Sequence, residues 1–335
     1  MKLLYLGNQL SKHGYNKTTI ETLGVQLEQE GFDVCYASNK KSFLFRLLDM
    51  MRAVFLYRKQ VTYILIDTYS TKAFWYSLVC SQLARVLNIK YIPILHGGNL
   101  PARFQKNPKQ TLALVHYAYR TVIPSAYLQE HLKQYDIPRS VVIPNTLELV
   151  KYPFHQRPMH TPKLLWVRAI DSIYNPELAL QTLVELLKTH PTAELTMVGP
   201  YKDISEHEWL QTIKRYKVPV TMTGSLSKEA WIALAKEHTV FINTTTIDNM
   251  PVSVMEAMAL GLPVVSTNVG GIPYLLENQV DALLVADGNV TQMVQAIEYC
   301  VENSIKAQKI ALNARKKVEK FDWNLVKEEW KSILI

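Results

Sequence analysis

Residues Thr244–Thr267 read TTTIDNMPVSVMEAMALGLPVVST. A polar run carries Asp248, a proline follows at position 251, and Glu256 stands eight residues after Asp248 on an apolar stretch with helical character. A Gly-Leu-Pro turn then leads into an apolar strand. Loop, helix, turn and buried strand in this order are the grammar of a parallel α/β sheet covered on both faces. Pro251 is placed at the first helical turn, where it leaves the neighbouring backbone N–H groups of Val252 and Ser253 open. A helix start of that kind attracts anions. Glu256, about one turn further on, can accept hydrogen bonds from two adjacent hydroxyls of a ribose. Asp248, ahead of the helix, can accept from the hydroxyls of a sugar on the far side of the phosphates. Phosphate between two polyols describes a nucleotide sugar. The plainer readings, Glu256 as an acid favoured near a helix start and Asp248 as a loop or cap residue, stand beside this one.

Outward from this stretch the same alternation covers the chain. In the first half KLLYLG, FDVCYAS, VTYILIDT, KYIPIL, RTVIPS and SVVIPN read as strands. NKTTIETLGVQLEQEG, the Ser42–Lys59 region, TKAFWYSLVCSQLARVLN and AYLQEHLKQYD read as helices between them. TLELVKYPFHQRPMHTP, with three prolines and no period, reads as a linker. Alternation then resumes with KLLWVR, AELTMVG, PVTMTG, TVFINT, LPVVST and DALLVAD. The expected architecture is two Rossmann-like, doubly wound domains, residues 1–150 and 151–320, facing across a cleft. A terminal amphipathic helix, 321–335, is expected to return to the first domain through Trp323, Val326 and Trp330.

The 335 residues exceed what one core usually fills, and 48% apolar with 20% charged residues is an ordinary globular balance. Cys35, Cys80 and Cys300 are far apart and form neither a zinc spacing nor a disulfide framework, which fits a reducing cytoplasm. The N-terminus has no signal-peptide pattern, and the longest apolar run is too short to span a bilayer. The net charge of +8 comes without a clustered basic–aromatic motif, so no nucleic-acid partner is expected. The loop after the first strand, GNQLSKHGYNK, lacks GxGxxG, and no GxxxxGK[ST] occurs, which disfavours a dehydrogenase or a P-loop NTPase. No Asp-x-Asp pair is present, so no metal is expected and a diphosphate would rest on protein cations and dipoles.

DNMPVSVMEAMALGLPVVSTNVGGIPYLL resembles the E-x7-E region of retaining GT-B glycosyltransferases of the group-1 type, glycosyltransferase family four, with Asp248 in place of the first Glu. MVGP at Met197–Pro200, TGSLSKE from Thr223, VIPN ending at Asn145 and the terminal FDW fall where that family has counterparts. The resemblance implies transfer of a hexosyl unit from a nucleotide diphosphate sugar, with UDP favoured, to a sugar or lipid-linked sugar acceptor. It implies retention at the anomeric carbon and a setting in surface polysaccharide or glycolipid synthesis. It implies catalytic roles for His96, Arg168 and Asp248. Glu256 would hold the ribose, Ser225 and Leu226 would lie by the base, and Asn249, Met250, Val252 and Ser253 would line the sugar and phosphates. Gly14 and Gly199 would let backbone approach the donor. The family usually carries a Lys shortly after the Arg; RAIDSIYNPE has none, Asn175 does not replace a cation, and Lys202 is the nearest substitute. An epimerase of the same fold and a non-catalytic partner subunit are the competing readings.

One helix raises a separate question. At helical spacing Phe43, Leu44, Leu47, Leu48, Met51, Val54 and Phe55 form the expected core face of Ser42–Lys59. Arg46, Arg52 and Lys59, with Phe45 and Leu56, form the expected outer face. Such a face fits weak contact with an anionic membrane, placing the protein in the cytoplasm or peripherally on the inner face of the plasma membrane; an ordinary solvated helix face is the alternative.

Overall fold

The computed structural model describes residues 1–15, 17–157 and 160–335. Asn16, where the first helix was expected to begin, and Pro158–Met159 of the expected linker lie outside the described residues. The chain divides into one unit of Met1–Thr146 with Leu325–Ile335, and a second of Leu147–Asn324.

The first unit holds six parallel strands: β1 Lys2–Leu6, β2 Asp33–Ala37, β3 Tyr63–Thr68, β4 Tyr91–Leu95, β5 Thr121–Ile123 and β6 Ser140–Val142, in the order β2-β1-β3-β4-β5-β6. β1 pairs with β2 through Leu3↔Val34 and with β3 through Leu3↔Tyr63. Nearly every residue of β1, β3 and β4 is buried, as expected for strands covered on both faces. Leu4, Leu6, Ile64, Ile66, Phe74 and Cys80 share the core. Burial raises the Cys80 thiol to about 12, so it is a packing residue. Two helices the sequence pattern did not resolve, Leu100–Lys106 and Pro108–Val115, lie between β4 and β5. Prolines near their first turns and Asn107 between them explain two short helices in place of one. In the terminal helix, Trp323–Leu334, the side bearing Trp323, Val326 and Trp330 is buried, and Lys327 and Lys331 pair with Glu30 at 3.1 and 2.7 Å.

In the second unit β7 Lys163–Val167, β8 Glu194–Val198, β9 Val220–Gly224, β10 Val240–Asn243, β11 Val264–Thr267 and β12 Leu283–Val285 run parallel in the order β12-β11-β10-β7-β8-β9. Alternate residues serve two cores: Leu164, Trp166, Val240 and Ile242 belong to one, Leu165, Phe241 and Val264 to the other.

Two sequence expectations are corrected. The proline-rich stretch is not a loose linker from residue 147 to 157. Leu147, Leu149 and Tyr152 are buried in a core of the second unit. The Arg157 guanidinium, also buried, donates to the carbonyls of His155 and Leu260 at 2.8 and 2.7 Å. The second correction concerns the Phe43–Tyr57 helix, whose faces are assigned differently. Arg46 points inward, donating to the carbonyls of Lys40 and Lys41 and to the Asn8 side chain at 2.7–2.8 Å, with its guanidinium over the Tyr76 ring. Met50, Ala53 and Val54 are buried beside it, while Phe43, Leu44, Leu48 and Phe55 of the expected core face are exposed. The helix carries apolar residues all round, so spacing alone does not say which side turns inward; the carbonyls that satisfy Arg46 decide it.

Candidate functional site

In open α/β sheets ligands bind beyond the carboxyl ends of strands, where the strand order reverses. In the second sheet that point lies between β7 and β10, and the loops leaving these two strands carry the expected residues. Arg168 follows β7 directly. Its guanidinium pairs with Asp248 at 2.5 Å, reaches the Asn243 amide oxygen at 3.4 Å, and lies 4.7 Å from the Tyr174 ring centroid. The Asn249 amide donates to the other Asp248 oxygen at 2.8 Å, so this carboxylate is held from two sides. The 248–249 backbone is itself fixed from below. A Cβ at Gly271 would lie 1.8 Å from the Asn249 carbonyl oxygen, and Gly271 N–H donates to the Asp248 carbonyl at 2.8 Å. That is the physical reason for the second glycine of NVGGIP. Gly199 has the same role under Arg168: its φ is 147°, and a Cβ there would meet the Arg168 carbonyl at 1.8 Å.

The helix after the loop is Val252–Ala259, and Pro251 is its N-cap, one position before the expected first turn. With φ at −71°, proline is suited to that entry, and the amides of the first turn have no partner within the helix. The Ser253 hydroxyl is buried and without a hydrogen-bond partner among the described residues. An open helix start with an unsatisfied hydroxyl fits an anionic, hydrogen-bonding ligand. Met250 is buried and Val252 exposed at this edge.

Glu256 is buried one turn deeper. Its Oε1 accepts from the Tyr152 hydroxyl at 2.7 Å and pairs with Lys228. Burial and the neighbouring carboxylate raise the Tyr152 hydroxyl far above the ordinary tyrosine range, so it remains a donor. Neither Tyr152 nor Lys228 was singled out from the sequence. Lys228 lay within the quoted TGSLSKE; Tyr152 lay in the supposed linker and carried no local signal. Ser225 is exposed beyond Gly224, which turns with φ at 66°; Leu226 is half-buried against the core. Ser227 caps the next helix, accepting from the Ala230 amide at 3.2 Å.

Lys202 lies on the loop after β8 and pairs with Asp171. Burial opposes its charge, but the Asp171 carboxylate outweighs that and raises its pKa. Asn175 is a helix cap: it adopts φ 44° ahead of Pro176 and accepts from the Leu178 amide at 3.3 Å. Three cations of this region, Arg168, Lys202 and Lys228, are therefore each matched to a carboxylate: Asp248, Asp171 and Glu256.

In the first sheet the order reverses between β1 and β3. Asp67, within β3, is fully buried, and its Oδ1 contacts the Tyr5 hydroxyl and His96 Nε2, each at 2.9 Å. Burial, reinforced by Asp67, holds the Tyr5 and Tyr69 hydroxyls well above their ordinary range. His96 begins the loop after β4, and Gly97 lets that loop pass Ser70, whose amide nitrogen would be 2.4 Å from a Cβ. Asp67 was missed in the sequence, although a carboxylate inside the apolar run VTYILIDT is a visible anomaly. Gly14, in the loop after β1, turns with φ at 84° and is exposed. Among the described residues no group of three or more His, Cys, Asp or Glu is placed to hold a metal ion.

Two parallel six-stranded α/β units of this kind define the GT-B fold. Residues 152–317 match the family model described as glycosyl transferases group 1. Glycogen synthase of Mycobacterium tuberculosis is 26% identical over 191 residues, 55% of this chain and 45% of that protein. The alignments with curated relatives each span less than half of the relative's length. Sucrose-phosphate synthase from Thermosynechococcus elongatus superposes with a TM-score of 0.81 at 16% identity, covering 99% of this chain and 98% of that one. Anabaena HepE in complex with UDP and glucose superposes with a TM-score of 0.80 at 18% identity, covering 100% and 99%.

Proposed function

We propose that the protein is a glycosyltransferase that moves a hexosyl unit from a nucleoside diphosphate sugar, with uridine as the base, to an acceptor hydroxyl with retention. The observation that carries this reading is the Val252 helix start, flanked on one side by Arg168–Asp248 and on the other by the buried Glu256. It offers an anion site between two carboxylates able to accept from sugar hydroxyls. HepE, of the same fold, holds UDP and glucose, which supports the choice of donor.

In this reading the helix amides, the Ser253 hydroxyl and Arg168 receive the diphosphate, and the negative charge growing on it as the glycosidic bond breaks is stabilised electrostatically. Because Arg168 is already matched to Asp248, the pair orients the guanidinium before the donor arrives. The donor ribose competes with Lys228 for Glu256, and the displaced Lys228 becomes a cation for the phosphates in place of the missing family lysine. Tyr152 keeps Glu256 in position through that exchange. Asp248 meets the transferred sugar. The protein needs no metal in this scheme, and the acceptor is a sugar or lipid-linked sugar in polysaccharide or glycolipid assembly.

Calorimetry with UDP and UDP-hexoses in the presence of EDTA tests the donor site; binding is expected to survive chelation, and its complete loss would overturn the metal-free scheme. Incubation of a UDP-hexose with sugar acceptors, followed by NMR of the product, tests the reaction. A product with the donor's anomeric configuration is expected. An epimerised donor would make the protein an epimerase, and tight binding without turnover a non-catalytic subunit.

A further inference from the structure

The Phe43–Tyr57 helix leaves an unusual surface. Leu44, Phe45, Leu48, Phe55 and Leu56 are between 51% and 65% exposed. At about 100° per residue they fall within roughly a third of the helix circumference. Arg52 falls in the same sector, Lys41 and Lys59 stand just before and just after the helix, and all three are exposed. Lys40, Lys41 and Arg52 line an open groove together with Phe45, Leu48 and Asp49. Asp49 is the only acid in the helix; it sits at the edge of the stripe, where its carboxylate accepts from the Ser38 hydroxyl at 2.6 Å. Arg46, the other basic residue of the helix interior, is turned away and fully occupied within the fold.

We propose that this stripe docks the protein on an anionic lipid bilayer, the helix lying in the plane of the interface. A contiguous exposed apolar patch marks a contact surface. The cations inside it select the partner. A second copy would set Lys41, Arg52 and Lys59 against like charges, with Asp49, already engaged by the Ser38 hydroxyl, as the one acid of each helix to offset them. An anionic bilayer supplies negative headgroups and hydrocarbon side by side, so leucine and phenylalanine side chains enter the acyl boundary while the lysine and arginine heads stay at headgroup level. No described helix is long and apolar enough to cross a membrane, so the contact is peripheral. The apolar residues are the anchors; the basic ones set lipid selectivity, and Arg46 takes no part. This inference does not depend on the transferase reading, because neither the helix nor the assay involves nucleotide.

Co-sedimentation with vesicles of phosphatidylglycerol and phosphatidylcholine, against pure phosphatidylcholine, tests it. Anionic vesicles should retain the protein at least about tenfold better than neutral ones, less so as salt rises. Lys41→Glu, Arg52→Glu, Lys59→Glu together, and separately Phe45→Ser, Phe55→Ser, Leu56→Ser together, should each lower partitioning at least about tenfold. Circular dichroism should be unchanged, since all six side chains are exposed. Lys214→Glu, Arg215→Glu, Lys236→Glu, an equal charge change in the second unit, should leave binding nearly intact. No retention on anionic vesicles, equal retention on neutral ones, or equal loss in the control variant would overturn the proposal. So would self-association that disappears in the serine variant while vesicle binding persists, which would assign the stripe to a second copy.

Discussion

The two sheets place polar groups at equivalent points and use them differently. At the reversal in the first sheet, Asp67 is sealed in, shared by the Tyr5 hydroxyl and His96. At the reversal in the second, the carboxylates of Asp248 and Glu256 are matched to Arg168 and Lys228, and the helix beyond begins with open amides. A buried acceptor shared by two side chains fixes them in place. Cations matched to carboxylates beside a helix start hold charge that a ligand can redistribute. The same topology thus carries a buried acid shared by two neighbours in one unit and carboxylate–cation pairs beside a helix start in the other.

The comparison breaks most readily through Asp67. Asp67→Ala strips Tyr5 and His96 of a shared buried partner and should lower unfolding stability by roughly 2–4 kcal/mol, measured by denaturant titration, with UDP affinity of the folded fraction nearly unchanged. A larger loss in nucleotide binding than in stability would show that the first unit's cluster is not a structural pin. Next in size, Arg168→Ala should weaken UDP binding by about 2–3 kcal/mol while stability changes less, as calorimetry beside thermal unfolding will show; the opposite ranking would make the Arg168–Asp248 pair structural.

Glu256→Gln sharpens the comparison further. It should cost about 1–2 kcal/mol in UDP affinity, and the preference for UDP over its 2′-deoxy analogue should shrink with it. Retained discrimination in the variant would move the ribose away from Glu256. The smallest effect belongs to Glu30, which ties the terminal helix to the first unit. Its hydrogen bond to Lys331, against a small burial penalty and with Lys327 assisting, lowers its pKa. A lowered folded value means that the stabilisation is complete above the ordinary glutamate pKa of about 4.3 and is lost as pH falls through the folded value. Amide exchange in residues 325–335 should therefore accelerate below that range, by less than about tenfold because the pairs are partly exposed. Glu30→Gln should remove the pH dependence; if it persists, another group controls the helix.

What the amino-acid sequence determined by itself was encoded locally. Unbroken apolar runs alternating with helical stretches gave the strands, Gly-Leu-Pro gave a turn, and the Asp248–Glu256 spacing marked a helix start with acids on both sides. These features depend on residues a few positions apart. Only the tertiary structure decided the partners. Glu256 meets Tyr152 across 104 positions and Lys228 across 28, and Arg46 finds its carbonyls and the Asn8 amide only once the first strand, its following loop and the helix are packed. A helix with apolar residues on every side has no periodicity that tells inside from outside. The choice falls to whichever face can satisfy its buried charge, and that depends on groups the local pattern does not contain.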